Sequence, residues 1–155
     1  EQYTITKSIE NITLNDCILH YQITEKLEVG NEVFCNICKK KQLLFIKNEI
    51  FYLPKNLIIY LKRYRMKNNK IEKNEINVNF DINDFRLGTF NEINYELYST
   101  SNHSGSYDGG HYFTNLKNKG KWVGIDDNLV FPSDEQNLLI PETTMLFYRK
   151  KMETK

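Results

Sequence analysis

Two short stretches carry the residue types that could do chemistry, Gly109-Gly110-His111-Tyr112-Phe113 and Lys121-Trp122-Val123-Gly124-Ile125-Asp126-Asp127. A histidine follows two glycines at the head of an apolar, aromatic run, and two adjacent carboxylates close the second run. An imidazole oriented by a carboxylate is the base half of a nucleophilic triad. The carboxylate fixes the ring tautomer and stabilises its charged form, while the ring takes a proton from the attacking group. Gly109 and Gly110 leave room for a substrate backbone to pass close to the ring. Histidine–aspartate pairs on adjacent strands also serve as plain structural hydrogen bonds, and residue types alone do not separate the two roles.

The elements that must position these residues are strands. Asn115 to Lys121 is polar with one glycine and reads as the turn of a hairpin, which returns Asp126 to the side of His111. Successive side chains on a strand point to opposite faces, so only one of Asp126 and Asp127 can face the imidazole directly; Asp126 is favoured. Tyr95 to Ser101 reads as a further strand, feeding a loop that carries His103-Ser104-Gly105. A loop histidine at 103 is either solvent-exposed or placed to touch substrate.

The three cysteines are the other reactive groups. Thr13 and Asp16 have the spacing of a helix start, and Leu14, Ile18 and Tyr21 fall on one helical face beside Cys17. Cys17 is thereby expected to be a buried helix residue and not a nucleophile. Cys35-Asn36-Ile37-Cys38 offers two thiolates on one knuckle, whereas a structural zinc wants four ligands and no second pair is visible. An odd cysteine count without a secretion signal favours a reducing compartment over a disulfide.

Elsewhere, Glu1 to Ile12 alternates loosely as an edge strand would. Leu43 to Lys47 and Ile50 to Leu53 are strand-like. Asn56 to Tyr64 has a nearly continuous apolar centre, which predicts a central strand buried on both faces. Met66 to Glu75 is polar and reads as a loop; Ile76, Val78 and Phe80 alternate as a short strand; Asp81 to Asn94 reads as irregular structure. Asn128 to Glu142 reads as a loop with Pro132 and Pro141, and Thr143 to Lys150 as a closing strand. Mostly consecutive strands with few helices predict an α+β fold dominated by antiparallel sheet.

The 155 residues suffice for one domain with a real core. A net charge of +1 gives no argument for a nucleic-acid or membrane surface. No apolar run approaches the length of a membrane span. The polar opening Glu1-Gln2-Tyr3 is no signal peptide and lacks Met, which reads as a piece of a longer, intracellular protein of the cytoplasm or nucleus.

Taken together, Asn102-His103-Ser104-Gly105, Gly109-Gly110-His111-Tyr112, Trp122 with Asp126-Asp127, and Leu61-Lys62-Arg63-Tyr64 closely resemble the histidine-box half of the ubiquitin-specific proteases, papain-like cysteine proteases that remove ubiquitin from proteins. The resemblance runs from about Thr13 to Arg149. It implies that residues 1–155 are the C-terminal portion of such a catalytic domain, comprising the palm and part of the fingers. The implied substrates are ubiquitin or ubiquitinated proteins. His111, Asp126 and Asp127 would be catalytic, and His103, Gly109, Gly110 and Tyr112 would shape a channel for the glycine-ending tail. Catalysis would need no cofactor, and Cys35 and Cys38 would be half of a structural zinc ribbon. The family's cysteine box has no counterpart here, so the chain alone is expected to be inactive. The rival reading is a non-catalytic ubiquitin-binding module or pseudoenzyme.

Overall fold

A computed structural model describes residues 12–87 and 93–151. The expected edge strand at the beginning lies almost wholly outside these residues; its last position opens β1 (Ile12–Thr13). Helix α1 (Leu14–Tyr21) follows at once. Thr13 caps it: its Oγ1 accepts from the Asp16 N–H at 3.2 Å, and Asp16 Oδ2 accepts from the Thr13 N–H at 2.9 Å. That reciprocal box satisfies donors the first turn would leave orphaned. Leu14 is driven into the core, and Cys17 beside it is half-buried. Burial, reinforced by the neighbouring Asp16 charge, pushes the Cys17 thiol up, so it stays protonated and unreactive.

Two small antiparallel ribbons come next. β2 (Glu25–Lys26) pairs with β5 (Phe45–Ile46), and between them β3 (Val33–Cys35) pairs with β4 (Lys40–Gln42). The strand expected at 50–53 does not form. Phe51 and Tyr52 face solvent, whereas Ile50 packs against the core and Leu53 is buried in it before Pro54.

The main body is a seven-stranded sheet in the order β14 (Leu129–Pro132), β13 (Lys121–Asp126), β12 (Gly110–Asn118), β11 (Asn94–Gly105), β15 (Thr143–Lys150), β6 (Asn56–Tyr60), with β10 (Phe85–Arg86) also paired to β11. Among the described strands, β6 is bonded to β15 alone and lies at the edge, which corrects the expected central strand. Its continuous apolar run still alternates. Leu57 and Ile59 pack on the core, whereas Ile58 and Tyr60 remain 59% and 54% exposed. The polar stretch expected to be a loop is instead a hairpin, β7 (Tyr64–Lys67) with β8 (Lys70–Lys73). Asn68 and Asn69 both take positive φ, 50° and 57°, the geometry of the tight turn whose twist matches that of the flanking strands. β9 (Val78–Asn79) pairs with β1 in parallel, the one exception to antiparallel pairing among the described strands.

β10 (Phe85–Arg86) leads to β11 (Asn94–Gly105), the longest strand, which pairs with both β12 (Gly110–Asn118) and β15 (Thr143–Lys150). β13 (Lys121–Asp126) and β14 (Leu129–Pro132) complete the sheet. The expected loop between Asn128 and Glu142 therefore contains a strand, and a 3-10 turn over Glu135–Leu138 besides. The core gathers on one face of the sheet. Phe85 stacks on Tyr148 at 4.7 Å, with Tyr95, Leu97 and Leu146 around them. The two tyrosine hydroxyls of this core are satisfied, whereas the buried Trp122 Nε1 has no hydrogen-bond partner among the described residues. Tyr95 donates to the Pro54 carbonyl at 2.6 Å and Tyr148 to that of Asp81 at 2.8 Å.

Candidate active site

The site sits where β12 begins and β13 ends. The connecting turn is shorter than the sequence suggested. Pairing continues to Asn118 opposite Lys121, leaving only Lys119 and Gly120 at φ 47° and 79°. Because the two strands stay in register up to Thr114 opposite Ile125, Asp126 ends alongside the start of β12. His111 Nε2 hydrogen-bonds Asp126 Oδ1. That contact uses one ring nitrogen and leaves Nδ1 as the nitrogen not engaged by Asp126. The hydrogen bond and charge of Asp126, with a smaller contribution from Asp127, hold the His111 pKa above its ordinary value.

Asp127 does not point away as strand alternation would require. It has left the strand and takes φ 49° in the turn to β14. One ligand atom from each of His111, Asp126 and Asp127 lies within 4.8 Å of the others. Two carboxylates therefore bear on one imidazole, the first by direct contact and the second through space.

The remaining expected residues separate into different environments. Tyr112 is exposed, and Gly109 has open space where a side chain would be. Gly110 is tightly constrained, since a Cβ there would fall 2.3 Å from both His103 Nε2 and the Ser104 carbonyl oxygen. His103 itself is not on a loop. β11 runs on to Gly105, and His103 is only 6% exposed within it. Sequence reasoning stopped that strand early because Asn102, Ser104 and Gly105 are turn-favouring types, yet their backbones pair with β12.

Two residues absent from the expected site touch it. Tyr64 Oη lies 2.7 Å from His103 Nδ1, and Lys73 Nζ donates to the His103 carbonyl. The signal for Tyr64 was its place at the end of Leu61-Lys62-Arg63-Tyr64; for Lys73 there was none. Arg63 in the same run is buried, donating to the carbonyls of Thr143 and Ile76, which ties β15 to the segment after β8.

The three cysteines lie on α1 and on the β3–β4 hairpin. Backbone N–H groups of Cys38 and Ile37, together with the Cys38 thiol, pull the Cys35 thiol down toward thiolate, a favourable state for a metal ligand. The knuckle fits half of a tetrahedral zinc site and no more: among the described residues only His111, Asp126 and Asp127 form a cluster of three or more donors.

Comparison with known proteins meets this geometry. The family model for ubiquitin carboxyl-terminal hydrolase matches residues 8–148. Ubiquitin carboxyl-terminal hydrolase 15 of Homo sapiens is 32% identical over 148 residues, covering 90% of this chain and 15% of that one. Ubiquitin carboxyl-terminal hydrolase 4 of Candida glabrata is 37% identical over 163 residues, covering 88% and 18%. In fold, the chain is similar to one in the SAGA Ubp8/Sgf11/Sus1/Sgf73 DUB module bound to ubiquitin aldehyde, with a TM-score of 0.71 and 24% identity over 91% of this chain and 34% of that one. The same module bound to monoubiquitin gives a TM-score of 0.69. The chain belongs to the ubiquitin carboxyl-terminal hydrolase family, and it spans less than a fifth of the length of these two relatives. No described helix is long and apolar enough to cross a membrane.

Proposed function

We propose that this chain supplies the base half of a thiol-dependent deubiquitinase, which cleaves peptide or isopeptide bonds after the terminal glycine of ubiquitin. The observation that carries the reading is the contact of His111 Nε2 with Asp126 Oδ1, beside a glycine at 110 that tolerates no side chain. Asp126 holds the proton on Nε2, so Nδ1 is free to take the proton of a thiol and later to give it to the departing lysine amine. Asp127 adds charge that favours the imidazolium paired with a thiolate. The nucleophilic cysteine comes from elsewhere in the parent protein. Cys17 is a desolvated helix thiol, and Cys35 and Cys38 have the spacing of a metal-ligand pair on an exposed hairpin. Two further ligands from the parent would complete a structural zinc site on that knuckle, whose only role would be to hold the ribbon together.

The test uses full-length parent protein and a ubiquitin probe carrying a thiol-trapping warhead. One cysteine outside residues 1–155 should be labelled, and this chain alone should not. His111→Ala should abolish labelling or slow it by about 10²-fold or more. Labelling of Cys17 in the isolated chain would sink the proposal.

A further inference from the structure

The β7–β8 hairpin reaches the site through His103, a residue the sequence placed on a loop. His103 is held on every side. Its N–H donates to the Glu142 carbonyl at 2.8 Å, and its carbonyl accepts from Lys73 Nζ. Its Nδ1 lies 2.7 Å from the Tyr64 hydroxyl, and its ring sits 4.5 Å from that of Tyr112. Tyr64 and Lys73 are register partners at the open end of the β7–β8 hairpin, so one small element grips both the side chain and the backbone of His103. Above, the imidazole fills the space where Gly110 lacks a side chain.

That arrangement matters because Gly110 is the residue before His111. His103 and Tyr112 are cross-strand partners, as are Ser104 and His111. By strand alternation the His103 ring therefore lies on the opposite face from His111, where it cannot exchange a proton with it. Whatever sets the height of the Gly110 backbone also sets where the His111 ring begins.

We infer that His103 is a positioning residue: clamped by Tyr64 and Lys73, its ring is the floor on which the Gly110–His111 backbone rests, and it holds the His111 imidazole in register with Asp126. The contact of the Tyr64 hydroxyl with Nδ1, together with the Tyr112 ring against the imidazole, locks the His103 ring in one orientation. The inference rests on the deubiquitinase reading, because it assigns His103 a part in placing that reaction's base. It also differs from the substrate contact expected of a loop histidine, and the two roles predict different kinetics.

The experiment measures steady-state kinetics and pH–rate profiles of full-length parent protein on a ubiquitin substrate with a fluorescent leaving group. It compares wild type with His103→Phe, His103→Asn, Tyr64→Phe and His111→Ala. His103→Phe keeps a ring under Gly110 without Nδ1; His103→Asn keeps a polar partner for Tyr64 without the ring. For a positioning role, His103→Asn lowers kcat by about ten- to a hundredfold with KM within about twofold, since a small misplacement of a reacting group costs that much. His103→Phe should recover most of the rate, and Tyr64→Phe should lower kcat in the same direction as His103→Asn but by less. The pH–rate limb assigned to His111 should shift in His103→Asn. A rise in KM at constant kcat would instead make His103 a substrate contact and overturn the inference. An unchanged kcat and pH limb in His103→Asn, with His111→Ala inactive, would overturn it alone. Full activity in His111→Ala would remove the base itself, and both readings with it. Thermal melting of each variant separates loss of fold from loss of position. A His103→Asn protein that melts like wild type yet turns over slowly supports the inference. A kcat per probe-titrated site equal to wild type defeats it.

Discussion

Asp126 decides the charge state of the His111 ring. Its hydrogen bond and charge raise the ring above the ordinary value of 6.5. Asp126→Asn keeps the shape and removes the charge, so the His111 titration followed by NMR should move to lower pH. The linkage has a definite sign. A folded-state pKa above the unfolded one means that the contact stabilises the fold while the ring is protonated. That contribution is complete below the ordinary imidazole value and lost as pH rises through the elevated one. Denaturant unfolding should therefore separate wild type from Asp126→Asn at about pH 5.5 and bring them together at about pH 9. The pair is half-exposed, so the separation is small. Catalysis feels the same change more strongly, because an amide in place of the carboxylate selects the wrong tautomer. A loss of roughly 10²–10⁴-fold in kcat is expected, measured on the parent protein with a ubiquitin substrate. Gly110→Ala tests the adjoining position. Its methyl group would overlap the His103 ring and a backbone carbonyl, which costs about 1–3 kcal/mol in overpacking. Reduced stability together with reduced probe labelling is the expected result.

At the scale of elements, two-residue turns set the register. Lys119 occupies left-handed backbone where asparagine is at less cost, so Lys119→Asn should stabilise the β12–β13 hairpin by about 0.5–1 kcal/mol in a urea titration. Gly120→Val puts a β-branched residue at φ 79° and should cost about 1–3 kcal/mol. The Asn68-Asn69 turn uses the same chemistry in β7–β8. It was legible in principle, because paired asparagines favour such turns, but the polar, charged strands around them hid the hairpin. Strand existence was otherwise readable from alternation in β11, β12, β13 and β15. The place of a strand in the sheet was not. The run in β6 is as apolar as a central strand, yet it sits at an edge, because neighbours in a sheet are chosen by tertiary pairing. The site divides the same way. His111 with Asp126 followed from hairpin logic, whereas the support of Tyr64 and Lys73 under His103 depends on long-range contacts that no local pattern encodes.

Across the whole molecule, stability is unevenly spread. Leu146, fully buried on β15, should cost about 2–5 kcal/mol when replaced by Ala, lowering the melting temperature of the entire sheet. The β3–β4 ribbon has no comparable core. Val33, Phe34 and Ile37 face solvent, and an isolated two-stranded hairpin is marginal in water. If zinc completes the knuckle in the parent protein, a chelator should speed amide exchange from Val33 to Gln42 and leave Tyr95 and Leu97 protected. Equal exchange with and without chelator would show that the ribbon holds without metal.

The edge position of β6 has a further consequence during synthesis. Its sheet partner among the described strands, β15, is synthesised long after it, and translation delivers about 5–20 residues per second. For several seconds the run Leu57-Ile58-Ile59-Tyr60 has emerged with no strand to join, and in that interval it is a target for chaperones and for mispairing with other nascent strands. Pulse proteolysis of stalled nascent chains should find the segment around β6 cleavable until β15 clears the exit tunnel, and protected thereafter. The β12–β13 hairpin, whose partners are neighbours in sequence, should become resistant as soon as it emerges. In this order of events the base of the site is assembled before the sheet that carries it has closed.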